Sequence, residues 1–98
     1  MTLRIAVLIT TQPGRSDEQV AAFDLIKETV RAEAGCIRYD LHRVENQPDR
    51  FLLLEEWESA EALEKHDASA VMAEASVRHA AFRAGPVEVL ELSASLLS

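Results

Sequence analysis

Four consecutive apolar residues, Phe51-Leu52-Leu53-Leu54, sit inside a stretch from Arg50 to Trp57 that is otherwise patterned as a β-strand. Successive side chains on a strand point to opposite faces, so an apolar run without polar interruptions requires cover on both sides of its sheet. With 98 residues the chain has material for one domain, spanning 1–98, and a chain of this size buries only roughly 60–65% of its unfolded surface. The helices identified below can cover one face only. The run therefore predicts a homodimer in which a second copy covers the open face of the sheet.

The other elements follow from period and punctuation. Leu3 to Thr11 is short, apolar and rich in β-branched residues, and Gln12-Pro13-Gly14-Arg15 ends it as a turn. Ser16-Asp17-Glu18-Gln19 matches a capping box, with the Ser16 hydroxyl for the N3 amide, Gln19 reaching back and acids at the positive end of the helix dipole. Val20, Phe23, Ile26, Val30 and Ala34 then form one helical stripe, and Gly35 is a stop that tolerates left-handed backbone. Cys36 to Val44 alternates, placing Ile37, Tyr39 and Leu41 on one face and Arg38, Asp40 and His42 on the other, towards a partner. Residues 45–49 read as a hairpin connection to the Arg50–Trp57 strand. Ser59 caps a short helix from Ala60 to His66, and a further helical stretch runs from about Ala68 to Arg83, with Val71, Ala75 and Phe82 on its stripe and Met72 and His79 at the edge. Gly85-Pro86 ends that helix. Val87 to Leu92 is a strand, and Ser93 to Ser98 a tail able to pack on a partner. The order β-α-β-β-α-α-β is ferredoxin-like: an α+β fold with an antiparallel sheet and helices on one face.

Charge and motifs narrow the function. Ten Lys and Arg against 17 Asp and Glu give a net charge of −7, which opposes nucleic acid and anionic membrane surfaces as partners. One cysteine, Cys36, allows no internal disulfide, and it reads as an inert small hydrophobe. No basic, then apolar, leader is present at the start, and no apolar run approaches the roughly 18 residues that span a bilayer. The expected setting is cytoplasmic. Glycine-rich phosphate loops, Cys-x-x-Cys and His-Glu-x-x-His are lacking, and His42, His66 and His79 stand at no ligand spacing, so neither a metal nor a bound cofactor is expected.

Two groups carry chemistry. Glu55 and Trp57 end a strand on one face, offering a carboxylate, a flat wall and an indole donor; alternatively Trp57 is a core filler and Glu55 pairs with a cation. His66 follows Leu63 by three and Ala62 by four, which puts an imidazole on the buried face of a short helix. There it serves as a base or donor, or else is satisfied structurally by a carbonyl or by Asp67. His79, beside Met72 and Phe82, poses the same alternative.

Taken in order, Glu33-Ala34-Gly35-Cys36-Ile37-Arg38-Tyr39, then Phe51-Leu52-Leu53-Leu54-Glu55-Glu56-Trp57, then Ala62-Leu63-x-x-His66 resembles the antibiotic biosynthesis monooxygenase (ABM) domain family. The resemblance implies a dimeric α+β barrel, two ferredoxin-like sheets face to face, each with a pocket between sheet and helices. It implies three enzyme types: cofactor-free oxygenases of quinols or anthrones, isomerases of a phosphorylated quorum signal, and haem-degrading enzymes. Departures are visible. Ala34 replaces a frequent Pro, Ala70-Val71 replaces a Pro-His pair, and Leu3 to Thr11 lacks the Asn of the haem-degrading branch.

The expected function is a cofactor-independent monooxygenase acting with O₂ on a small electron-rich aromatic of the quinol or anthrone type. His66, Glu55 and Trp57 are its expected catalytic residues. Tyr39, Met72, His79 and Phe82 are its expected substrate wall. The alternatives are an isomerase of a phosphorylated small sugar, for which Arg78 or Lys27 would supply a cation, and a ligand-binding dimer without turnover.

Overall fold

The computed structural model describes residues 2–93. Seven elements follow one another: β1 (Leu3–Thr10), α1 (Ser16–Arg31), β2 (Cys36–Val44), β3 (Gln47–Trp57), α2 (Ala60–Asp67), α3 (Ala70–Ala80) and β4 (Glu88–Leu92). The strands form one antiparallel sheet in the order β2-β3-β1-β4. This is the expected ferredoxin-like α+β arrangement. The tail beyond Ser93 lies outside the described residues. Among the described residues no helix is long and apolar enough to cross a membrane.

Register assigns the faces. Ile5, Val7 and Ile9 of β1 lie opposite Glu55, Leu53 and Phe51 of β3, and Tyr39 and Leu41 of β2 lie opposite Glu55 and Leu53. These side chains meet Phe23, Ile26 and Val30 of α1 and Ala75 of α3 in one core. Full burial of each large apolar side chain there contributes about 1.5–3 kcal/mol. The alternate residues, Ala6, Leu8, Leu52 and Leu54, face the opposite way together with Leu90 and Leu92, because Ala6 lies opposite both Leu54 and Leu90. Leu90 and Leu92 are 42% and 46% exposed, so the apolar run of β3 is covered by helices on one side and left open on the other.

Several details differ from the sequence reading. No side chain caps α1: its N-cap is Arg15, whose guanidinium grips Glu18. Gln19, expected to reach back to Ser16, is buried and accepts a hydrogen bond from Arg83 Nε at 3.0 Å. The stripe of α1 ends at Val30, and Ala34 is exposed. The alternation in β2 breaks at an irregularity between Cys36 and Arg38, which turns Ile37 outward to 49% exposure while Tyr39 stays buried. The hairpin between β2 and β3 is tighter than expected, since Gln47 already pairs with Val44 and Asn46 adopts a φ of 62°. Finally, α3 is three residues shorter at its end than expected, and Arg83 instead bridges to Thr11.

The Ser59 cap is as expected, whereas Ser69, expected inside a helix from about Ala68, instead caps it. Ser59 Oγ accepts from Ala62 N at 3.1 Å, and Ser69 Oγ caps α3 through Met72 N at 3.3 Å. Gly35 has a φ of 85°, and a Cβ there would stand 2.6 Å from the Cβ of Ala62. Glycine at this position lets the start of β2 lie directly against α2, which delivers His66 to the sheet.

Candidate active site

Trp57 closes β3 at the sheet end covered by α2, and it is fully buried. Its indole N–H donates to Glu55 Oε1 at 3.0 Å. Glu55 is on the same face because strand residues two apart share a side. The His66 ring lies over the indole, centroids 4.6 Å apart and planes 33° from parallel, and meets Tyr39 edge-on at 5.6 Å. Tyr39 in turn stacks on Phe23 of α1. Two aromatic rings, from β2 and β3, therefore pack on a single imidazole, and a third, from α1, backs Tyr39.

The imidazole is held between two carboxylates. Glu33, in the turn after α1, places Oε1 at 2.6 Å from His66 Nδ1, and Glu55 Oε1 lies 4.0 Å from Nε2. Glu33, His66, Glu55 and Trp57 thus form a polar row through an otherwise apolar region, hydrogen-bonded at each end and with a 4.0 Å gap between His66 and Glu55. Burial pushes the Glu55 carboxyl above the usual carboxylate range, opposed by the indole hydrogen bond and by His66. Burial also pushes the Tyr39 phenol well above its ordinary value, with Glu55 adding to that shift and the Arg83 charge opposing it. On the open face behind Glu55, a recess of about 330 Å³ is bordered by Arg4, Arg38, Leu54, Glu56 and Leu92, at the sheet end where Arg4 pairs with Glu56. A strongly hydrogen-bonded imidazole beside a poorly solvated carboxyl is an arrangement that can hold or move a proton.

The structure brings His66, Glu55, Trp57 and Tyr39 together. Of the rest of the expected wall, Met72 packs half-buried against the core cluster that includes Tyr39 and Trp57, while Phe82 and His79 meet each other edge-on at 5.9 Å near the end of α3. Burial, with help from Arg83 and Arg78, brings the His79 imidazole down to about 4. Glu33 is the participant that sequence reasoning passed over, although it begins the Glu-x-Gly-Cys string. Asp67 and a backbone carbonyl, the partners considered for His66, are not its ring's partners. Cys36 is half-buried, and burial raises its thiol above the ordinary range.

The sheet order and one-sided helices define a ferredoxin-like α+β protein. The sequence profile of the antibiotic biosynthesis monooxygenase family matches residues 2–78, and the chain belongs to that family. Solved structures agree in fold. A Pseudomonas aeruginosa protein shares 27% identity over 97% of this chain and 95% of its own, with a TM-score of 0.88. One from Mycobacterium tuberculosis shares 23% over the whole of both chains, also at 0.88. A structure of an antibiotic biosynthesis monooxygenase shares 23% over 96% of this chain and 99% of its own, at 0.87. A comparison with curated proteins returns no match.

Proposed function

We propose that this member of the family is a cofactor-independent monooxygenase that oxidises a small electron-rich aromatic, of the quinol or anthrone type, with O₂. The observation that carries the reading is the convergence of the Trp57 indole and the His66 imidazole on one oxygen of Glu55, in a region walled by aromatic rings. In this scheme His66 removes a proton from the substrate, Glu33 holds its ring and steadies the resulting imidazolium, and Glu55 orients it from the other side. The substrate anion gives one electron to O₂, the two radicals join as a peroxide, and loss of water leaves the carbonyl product. Both oxygen atoms and all electrons are accounted for by O₂ and the substrate.

Oxygen uptake with a panel of anthrones and quinols tests the scheme. The expected result is uptake by the wild type and a loss of roughly 10²-fold or more in His66→Ala, with circular dichroism confirming that the variant folds. Unchanged uptake in His66→Ala removes His66 from the chemistry. Binding without uptake across the panel favours the non-catalytic dimer instead.

One observation favours the isomerase reading. Arg78 Nε is buried without a hydrogen-bond partner, as a phosphate-binding cation would be before its ligand arrives. Lys27, the other cation considered, is held by Asp24 at 3.1 Å. Turnover of a phosphorylated sugar, with no oxygen uptake on any aromatic, decides for it. In every reading we place the second copy on the open apolar face of the sheet.

A further inference from the structure

Arg50, Arg78 and Arg83 form no ion pair among the described residues, and of the three Arg83 is the one held by a buried side chain. Arg4, Arg15, Arg31, Arg38 and Arg43 each pair with a carboxylate. Among the described residues the Arg83 side chain makes one hydrogen bond, from Nε to the Gln19 amide oxygen. Gln19 is itself 2% exposed, so the guanidinium is fixed by a buried neutral group that orients it without cancelling its charge. The two Nη groups, a planar fork suited to bidentate contact, are left for something else.

The surroundings point the same way. Arg83 borders a recess of about 360 Å³ with Ser76, His79, Pro86 and Val87. Between Glu74 and Glu88 the chain has no Asp or Glu, although it holds 17 in all, while the same stretch carries Arg78, His79 and Arg83. Burial brings the Arg83 guanidinium down to about 10, still protonated at neutral pH, and leaves His79 neutral there. An incompletely solvated charge without a partner is costly to keep, and an anionic ligand relieves that cost.

We infer that the recess formed by Arg83, His79 and Ser76 binds the carboxylate of a small organic ligand, with Gln19 acting as the positioning residue for Arg83. The carboxylate lies across the Nη fork and its apolar body rests on Val87 and Pro86. Binding itself does not depend on turnover.

Amide-resolved NMR titration of the full chain with 2-naphthoate, 2-naphthamide and inorganic phosphate is the test. The expected result is saturable shifts at Ser76, His79 and Arg83 with 2-naphthoate, at least tenfold weaker binding of the uncharged 2-naphthamide, and none with phosphate. Arg83→Gln and Gln19→Glu, the second of which hands Arg83 an internal carboxylate at nearly constant shape, are each expected to weaken naphthoate binding at least tenfold while leaving the remaining spectrum native. Equal binding of acid and amide, undiminished binding in either variant, or a response to phosphate alone overturns the inference. Oxygen uptake is measured separately, so loss of uptake with intact naphthoate binding counts against the oxygenase and not against the recess.

Discussion

His66 Nδ1 lies 2.6 Å from Oε1 of Glu33, a residue 33 positions earlier in the chain, and the contact joins the turn after α1 to the buried face of α2. The His66 side chain is 2% exposed and that of Glu33 21%, so the imidazole has no water to fall back on. Glu33→Ala leaves a buried polar ring nitrogen unpaired, at a cost of about 1–3 kcal/mol. Urea denaturation should show that loss, and a His66→Ala, Glu33→Ala cycle should show a coupling above about 0.5 kcal/mol. Additive losses would mean that the contact carries no energy of its own.

Glu55 behaves oppositely to a paired surface acid. Burial raises its native pKa above that of the unfolded chain, so the native state holds the proton more tightly, and the associated stability is complete in acid and lost as pH rises through the native pKa. Glu55→Gln keeps an acceptor for the Trp57 indole but cannot ionise. Its stability relative to wild type should therefore climb from pH 4 to pH 8. A flat difference in thermal unfolding across that range would refute the assignment.

His79 has the converse dependence. Its native value of about 4 lies below the ordinary 6.5, so the unfolded chain takes up a proton that the native state refuses. Stability is complete above about 6.5 and falls as pH drops towards 4, by about 1–2 kcal/mol once solvent screening at a half-buried site is allowed for. His79→Gln should remove that part of the slope between pH 6.5 and 4. Equal slopes in the two proteins would count against it.

Gly14 and Gly35 separate backbone strain from crowding. Both have positive φ, 78° and 85°, but a Cβ at Gly14 meets nothing within 4 Å whereas one at Gly35 meets Ala62 at 2.6 Å. Gly14→Ala should cost about 1–2 kcal/mol for left-handed backbone alone. Gly35→Ala should cost about 1–3 kcal/mol more through overpacking. Comparable melting temperatures would show that α2 moves aside freely.

The open face yields a test of assembly. Leu54 lies opposite Ala6 at its centre, where one Glu introduces charge without touching the helix-side core. Leu54→Glu should convert a dimer to a monomer by light scattering while keeping its far-ultraviolet spectrum. A wild type that is monomeric at micromolar concentration would remove the proposed dimer.

Elements governed by near neighbours were readable from the sequence. Ser59 caps α2, Phe23, Ile26 and Val30 share the buried stripe of α1, and Glu55 and Trp57 share a face, because each depends on spacings of two to four residues. Features that depend on one extra residue or on distant partners were not. The irregularity after Cys36 turned Ile37 outward without any mark in the alternation. Gln19 fits a capping box locally, but its partner Arg83 stands 64 positions away, and the arginine sits in a stretch expected to be helical. Glu33 was visible as part of a string, yet its role needed α2 folded back over Gly35.

The contact between Gln19 and Arg83 also fixes when the molecule becomes competent. Its partners are 64 residues apart, and the Glu33–His66 pair spans 33, so neither exists until the chain has closed large loops. A collapsed intermediate with its helices formed would still lack both. Under the proposed carboxylate site, ligand capture at Arg83 would report completed folding, and its rate of appearance after dilution from urea should follow the slowest step of the tertiary structure, not the faster gain of helix.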